Sequence, residues 1–177
     1  MNCPMRLDEF EVSVTSACNL RCTHCSVMPG RHSDPRDLSL EEIIGVLKDG
    51  AAAGATQLDI TGGEPTVRPD LEEIVRQART LGFSVKLLSN GTLLTPDRLR
   101  SLHAAGLSAL AVSIDGSTHD IHAATHTVSQ GMFERSLTAL KEARKLGLLV
   151  KVNTVVSRRN LNDLPRLVAL VKDIGCF

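Results

Sequence analysis

The chain has no tryptophan and no tyrosine, and only four phenylalanines among its 177 residues, an absence that nothing else in the pattern explains. It also lacks an excess of either charge: 20 Lys+Arg are matched by 20 Asp+Glu, and no basic run stands out. Without a basic field there is nothing to draw in a phosphate backbone or an anionic membrane surface, so neither nucleic acid nor a membrane is an expected partner. Apolar runs are short, the one around Leu107 to Ile114 included, and fall well below the roughly 20 residues of a membrane-crossing helix. The amino terminus has no basic segment followed by an apolar one. These absences predict a soluble, cytoplasmic protein, and the length suits one domain with one core.

Cysteine is scarce but clustered. Three of the five lie in the run Cys18-Asn19-Leu20-Arg21-Cys22-Thr23-His24-Cys25, and Cys3 and Cys176 lie near the two ends. An odd, clustered count argues against a disulfide framework and for a reducing compartment. Cys3 and Cys176 lack a cysteine or histidine at ligand spacing and read as ordinary thiols. A closed zinc site takes four protein ligands, whereas three cysteines hold three corners of a [4Fe–4S] cluster and leave one iron open to a small molecule. The competing reading is a zinc site completed by His24 or His32.

Hydrophobic periodicity organises the rest. Val12 and Val14 share a face of a first strand over residues 11–14, which leads into the cysteine loop. Ser39-Leu40-Glu41-Glu42 is a capping box, opening a helix striped by Leu40, Ile43, Ile44 and Leu47 that stops near Gly54. The unit then repeats: a strand over 58–61 with a helix capped by Asp70, and a strand over 84–88 with a helix opened by Thr95-Pro96. A near-continuous apolar strand follows over 109–114, with a helix through Phe133, Leu137 and Leu140 that ends at Gly147. The last unit is a strand over 149–156 and a helix striped by Leu164, Leu167, Val168, Val171 and Ile174. Strict alternation predicts an α/β fold with a parallel sheet and right-handed crossovers. A doubly wound sheet would alternate in the same way. The candidate site residues fall at the carboxyl ends of all five strands, which in a barrel surround one mouth, so a partial (β/α) barrel of about five units is expected.

The C-x3-C-x2-C spacing after one strand, with Gly62-Gly63-Glu64-Pro65 after the next, resembles the radical S-adenosylmethionine (SAM) superfamily, nearest its branch of peptide-modifying and cofactor-maturing enzymes. That resemblance implies that Cys18, Cys22 and Cys25 bind a [4Fe–4S] cluster whose open iron is chelated by SAM. It implies that Gly62, Gly63 and Glu64 grip the SAM ammonium, the glycines letting backbone approach the ligand closely. Ser113 and Asp115 would meet the ribose or carboxylate, Asn153 would lie near the ribose, and Ser89 and Asn90 would border the substrate. His24 stands where relatives often place an aromatic ring near the adenine. Taken singly, these Ser, Asn and Asp residues read first as turn or cap residues, and the double glycine as a turn; their common place at the mouth favours the site. Relatives often bind the SAM carboxylate with an arginine at the position of Ala123; His122 and His126 are the nearest substitutes. With His119, those two otherwise read as a solvated loop.

The implied activity is that of an oxidoreductase-type radical SAM enzyme: one electron from the cluster cleaves SAM, and the resulting 5'-deoxyadenosyl radical abstracts hydrogen from a substrate, a peptide or small molecule. A low-potential donor such as flavodoxin or ferredoxin would supply the electron, and no side chain need act as acid or base. A different class of answer is a non-catalytic iron-sulfur or zinc-binding module; a phosphate-binding barrel would leave the three cysteines unexplained. Residues 1–177 are expected to form a single core domain, carboxy-terminally short, without a cysteine-rich auxiliary domain. The resembled fold has a sixth strand, and without one the fifth would offer an open edge for self-association.

Overall fold

The computed structural model describes residues 7–25 and 37–176, so Cys3 and His32 lie outside it. Along the described residues strands and helices alternate, except that two helices follow β4: β1 (Glu9–Ser13), α1 (Leu40–Ala52), β2 (Gln57–Thr61), α2 (Leu71–Thr80), β3 (Ser84–Ser89), α3 (Pro96–Ala105), β4 (Leu107–Ser113), α4 (His119–Ala123), α5 (Gln130–Lys145), β5 (Leu149–Asn153) and α6 (Leu164–Ile174). No described helix is long and apolar enough to cross a membrane.

Side chains that satisfy the first free amides set several helix starts. Ser39 Oγ accepts from Glu42 N at 3.2 Å and Glu42 Oε2 accepts from Ser39 N at 2.8 Å, which is the capping box of α1. Thr95 caps α3, with Pro96 in the first turn, where a missing amide costs nothing. Asp70 behaves otherwise than expected: it precedes α2 but makes no cap hydrogen bond with its side chain. Its two oxygens accept from Arg68 instead, at 2.9 and 2.7 Å, and Arg68 Nη1 also donates to Val14 O and Leu38 O.

The five strands pair in sequential order, all parallel. A doubly wound sheet reverses its order at a switch point; this one does not, and among the described residues β1 and β5 are the edges of an open arc. Leu58, Ile60, Leu87, Leu110 and Val112 pack from the sheet against Ile43, Leu47, Ile74, Leu99, Leu102 and Leu140 from the helices, all fully buried. Each is worth about 1.5–3 kcal/mol relative to exposure, which makes the arc a firm support for its loops. Pairings such as Ser13 with Thr61 and Ser113 with Asn153 bring the carboxyl ends of the strands to one rim.

Two expectations fail near that rim. β5 ends at Asn153 rather than running to residue 156, because side chains capture the backbone around it: Val155 N donates to Asp115 Oδ1 (2.8 Å) and Thr154 Oγ1 donates to Ile114 O (2.8 Å). The histidine segment is not a solvated loop. It forms the short helix α4 and buries His122 and His126, 2% and 4% exposed, with His122 packed on Phe133 at 5.3 Å and His126 at 4.2 Å between ring centroids.

Candidate functional site

β1 delivers the chain to the cysteine loop, which is docked on both flanks. On the entry side, Thr15 Oγ1 donates to Asp37 Oδ2 (2.7 Å) and Ser16 N to Asp37 Oδ1 (3.0 Å). The end of β2 closes against the same stretch, with Gly63 N donating to Thr15 O (2.7 Å) and Glu64 N to Ala17 O (2.8 Å). A Cβ on Gly62 would be driven into Thr15 O, and one on Gly63 into Ala17 O. These glycines thus permit a close approach to the backbone leading into the cysteine loop, while both also line the cavity. On the other flank, Thr23 N donates to Thr125 O (2.9 Å), Arg21 N to Thr127 Oγ1 (2.6 Å) and Asn19 Nδ2 to Thr92 Oγ1 (2.8 Å). The sequence holds no sign of Asp37, Thr92, Thr125 or Thr127, since their partners on the two flanks are separated by 21 to 106 positions and leave no local periodicity.

The loop forms one wall of a cavity of about 200 Å³ at the strand ends, and Cys18, Cys22, His24 and Cys25 all line it. Gly62, Gly63 and Glu64 enter from β2, Ser89 and Asn90 from β3, Ser113 from β4 and Asn153 from β5. His126 lines it from beyond α4. Asp115 does not line the cavity but lies behind its wall, 1% exposed, and neither Ala123 nor His122 reaches the lining.

Glu64 is equally buried. Its Oε1 accepts from Thr66 N (3.1 Å), Thr66 Oγ1 (2.5 Å) and Ser89 Oγ (2.7 Å), and its Oε2 from Asn90 N (2.7 Å). Burial pushes this carboxyl above its ordinary 4.5, while every partner donates, the pattern an ionised carboxylate satisfies. Oε2 has a single hydrogen-bond partner among the described residues and so keeps a lone pair for another donor.

Across the cavity, Asp115 accepts from Val155 N at Oδ1 (2.8 Å) and from Thr125 Oγ1 at Oδ2 (2.9 Å). His126 Nδ1 lies 3.3 Å from Cys22 Sγ. Burial pushes the pKa of His126 down against the opposing charge of Asp115, and burial takes His122 down to about 3. Cys18 is pushed above its ordinary 9.0, and Cys22 up to about 11, in both cases by burial first. Cys18, Cys22 and Cys25 are free thiols. Three soft donors on one loop beside a glycine-lined cavity fit a cluster held by three thiolates, and loading it would release their protons.

A family model described as the radical SAM superfamily matches residues 12–171. The chain belongs to that superfamily. It is 38% identical to an AdoMet-dependent heme synthase of Methanosarcina barkeri, covering 92% of this chain and 46% of that protein. With a PqqA peptide cyclase of Ruegeria pomeroyi it shares 35% identity over 92% of this chain and 43% of the other. With a probable GTP 3',8-cyclase of Saccharolobus solfataricus it shares 36%, over 96% and 54%. The radical SAM chain thus spans about half the length of the relatives it matches. Streptococcus suis SuiB bound to S-adenosylmethionine superposes with a TM-score of 0.84 at 16% identity, covering 97% of this chain and 39% of that one. Native anSMEcpe with bound AdoMet gives 0.77 at 20% identity, covering 94% and 48%. At such identities the likeness establishes the fold, an open radical SAM arc of β/α units.

Proposed function

We propose that residues 1–177 act as a radical SAM core in which Cys18, Cys22 and Cys25 hold a [4Fe–4S] cluster and the adjoining cavity holds SAM. The observation that carries this reading is that three free thiols share one cavity with residues from the ends of β2, β3, β4 and β5. The chemistry that the bound pair supplies is one-electron reductive cleavage of a sulfonium, coupled to hydrogen-atom abstraction from a substrate. The chain's own task is to bind and orient. Glu64 offers its remaining Oε2 lone pair to the ammonium, held in aim by Ser89, Asn90 and Thr66. Ser113 and Asn153 offer a hydroxyl and an amide to the ribose or carboxylate, and His24 offers a planar ring to the adenine. Asp115, behind the wall, serves as a positioning residue that fixes Val155 and Thr125.

A low-potential donor of the flavodoxin or ferredoxin class supplies the electron, in the cytoplasm. A peptide is the favoured substrate class: one relative is named a PqqA peptide cyclase, and SuiB also superposes when bound to its precursor peptide SuiA. The exposed edge of β5, where Leu149 is 63% exposed, suits strand addition by a second chain.

The test is anaerobic reconstitution followed by iron and sulfide analysis. About four of each per chain are expected, with the cluster lost in Cys18→Ala, Cys22→Ala and Cys25→Ala but kept in Cys176→Ala. One zinc and no sulfide, or an intact cluster in any of the first three variants, overturns the assignment.

A further inference from the structure

His24, Asp115 and His126 come from three separate parts of the chain, yet one ligand atom from each lies within 4.8 Å of the others. Asp115 Oδ2 is 3.3 Å from His126 Nε2 and 3.9 Å from His24 Nδ1. The 3.3 Å contact falls outside hydrogen-bond geometry, and His126 Nε2 is a fully buried nitrogen with no hydrogen-bond partner among the described residues. Burying such an atom strips its hydration without replacing it, so its position calls for a partner. The other ring nitrogen is accounted for by Cys22 Sγ at 3.3 Å, which directs Nε2 toward Asp115 and His24. The carboxylate is itself held in place by Val155 N and Thr125 Oγ1. That is the support expected around a metal ligand, in which the outer partners fix both the ring and the carboxylate.

We propose that His24, Asp115 and His126 bind a single divalent first-row metal ion beside the cysteine loop. Two imidazoles and one carboxylate suit zinc or ferrous iron, whereas calcium and magnesium prefer oxygen donors throughout. Three protein ligands leave a coordination position open, and it faces the cavity because both His24 and His126 line it. A small oxygen donor, a carboxylate or water, is the ligand that position takes. The site uses none of the three cysteines and so goes beyond the cluster reading.

The probe is zinc alone, added to the chain carrying Cys18→Ala, Cys22→Ala and Cys25→Ala together, with affinity read by competition against a chromogenic chelator. One zinc per chain is expected, weakened by about ten-fold or more on adding His126→Gln or His24→Ala. His24 is exposed, so its variant reports on binding rather than folding, and circular dichroism verifies this. No bound zinc in this triple variant, or an affinity indifferent to His24→Ala, overturns the proposal. Cobalt added to the wild-type apo chain with its thiols alkylated gives an independent reading: absorption bands free of thiolate charge transfer, lost in His126→Gln, are expected, and their persistence in that variant counts against the site. Neither arm depends on the cluster, so failure here leaves the cluster assignment untouched, and the reverse holds.

Discussion

Glu64, after β2, and Asp115, after β4, are both 1% exposed, yet the two sides of the mouth treat their buried carboxylates in opposite ways. Around Glu64 four donors converge, each described polar group there has a partner, and one Oε2 lone pair is left over. Around Asp115 two donors suffice to hold the carboxylate, and a buried imidazole nitrogen beside it goes unpaired. A saturated network rigidifies and fixes a loop, whereas an unsaturated one stores an unmet need that a ligand can fill. The β2 and β3 side accordingly holds Glu64 rigid with that one lone pair to offer, and the β4 and β5 side leaves a buried nitrogen to be satisfied.

The largest expected effect breaks the saturated side. Glu64→Ala strands Ser89, Thr66 and the Asn90 amide, and should lower the stability of the apo chain by about 3–5 kcal/mol in urea unfolding; a loss under about 1 kcal/mol would mean that the network is not structural. Gly63→Ala attacks the same side through sterics, forcing a Cβ onto Ala17 O, with a cost of about 1–3 kcal/mol and less iron taken up on reconstitution. Full iron uptake in that variant would separate glycine packing from loop placement.

A smaller effect is expected at Asp70, whose carboxyl Arg68 holds below its ordinary 3.8. Because the folded value is depressed, its contribution is fully present above 3.8 and is lost as the pH falls through the lowered value. Asp70→Asn should therefore cost about 0.5–1 kcal/mol at neutral pH and leave acid stability below that window unchanged. Equal losses at both pH values would point to the Arg68 packing instead. The smallest effect sharpens the comparison: His126→Gln in the metal-free chain gives up one contact, Nδ1 with Cys22 Sγ, and removes an unpaired nitrogen, so it should change stability by less than about 1 kcal/mol, in contrast to Glu64→Ala. A cost matching that of Glu64 would erase the distinction between the two sides.

Features set by neighbours in sequence were legible, and features set by distant partners were not. The Ser39 and Glu42 box, the Thr95-Pro96 start and the apolar stripes act within a turn or two, so the five β/α units were readable in order. The three cysteines were readable because their spacing is itself the chemistry. The burial of His122 and His126 was not, because it depends on Phe133 and Asp115 folding over a segment that carries no apolar period of its own. Asp70 was misread as a cap because a better partner, Arg68, sits two residues away. Gly62 and Gly63 advertised a close approach, but what they approach, Thr15 and Ala17, is fixed only once β1 and β2 pair.

The central claim, that one cavity serves both the three thiols and SAM, is tested most directly by supplying dithionite and SAM to the anaerobically reconstituted chain and quantifying 5'-deoxyadenosine. Release that disappears in the Cys18, Cys22 and Cys25 variants is the predicted result. A chain that carries about four irons with matching sulfide and still releases none would contradict it.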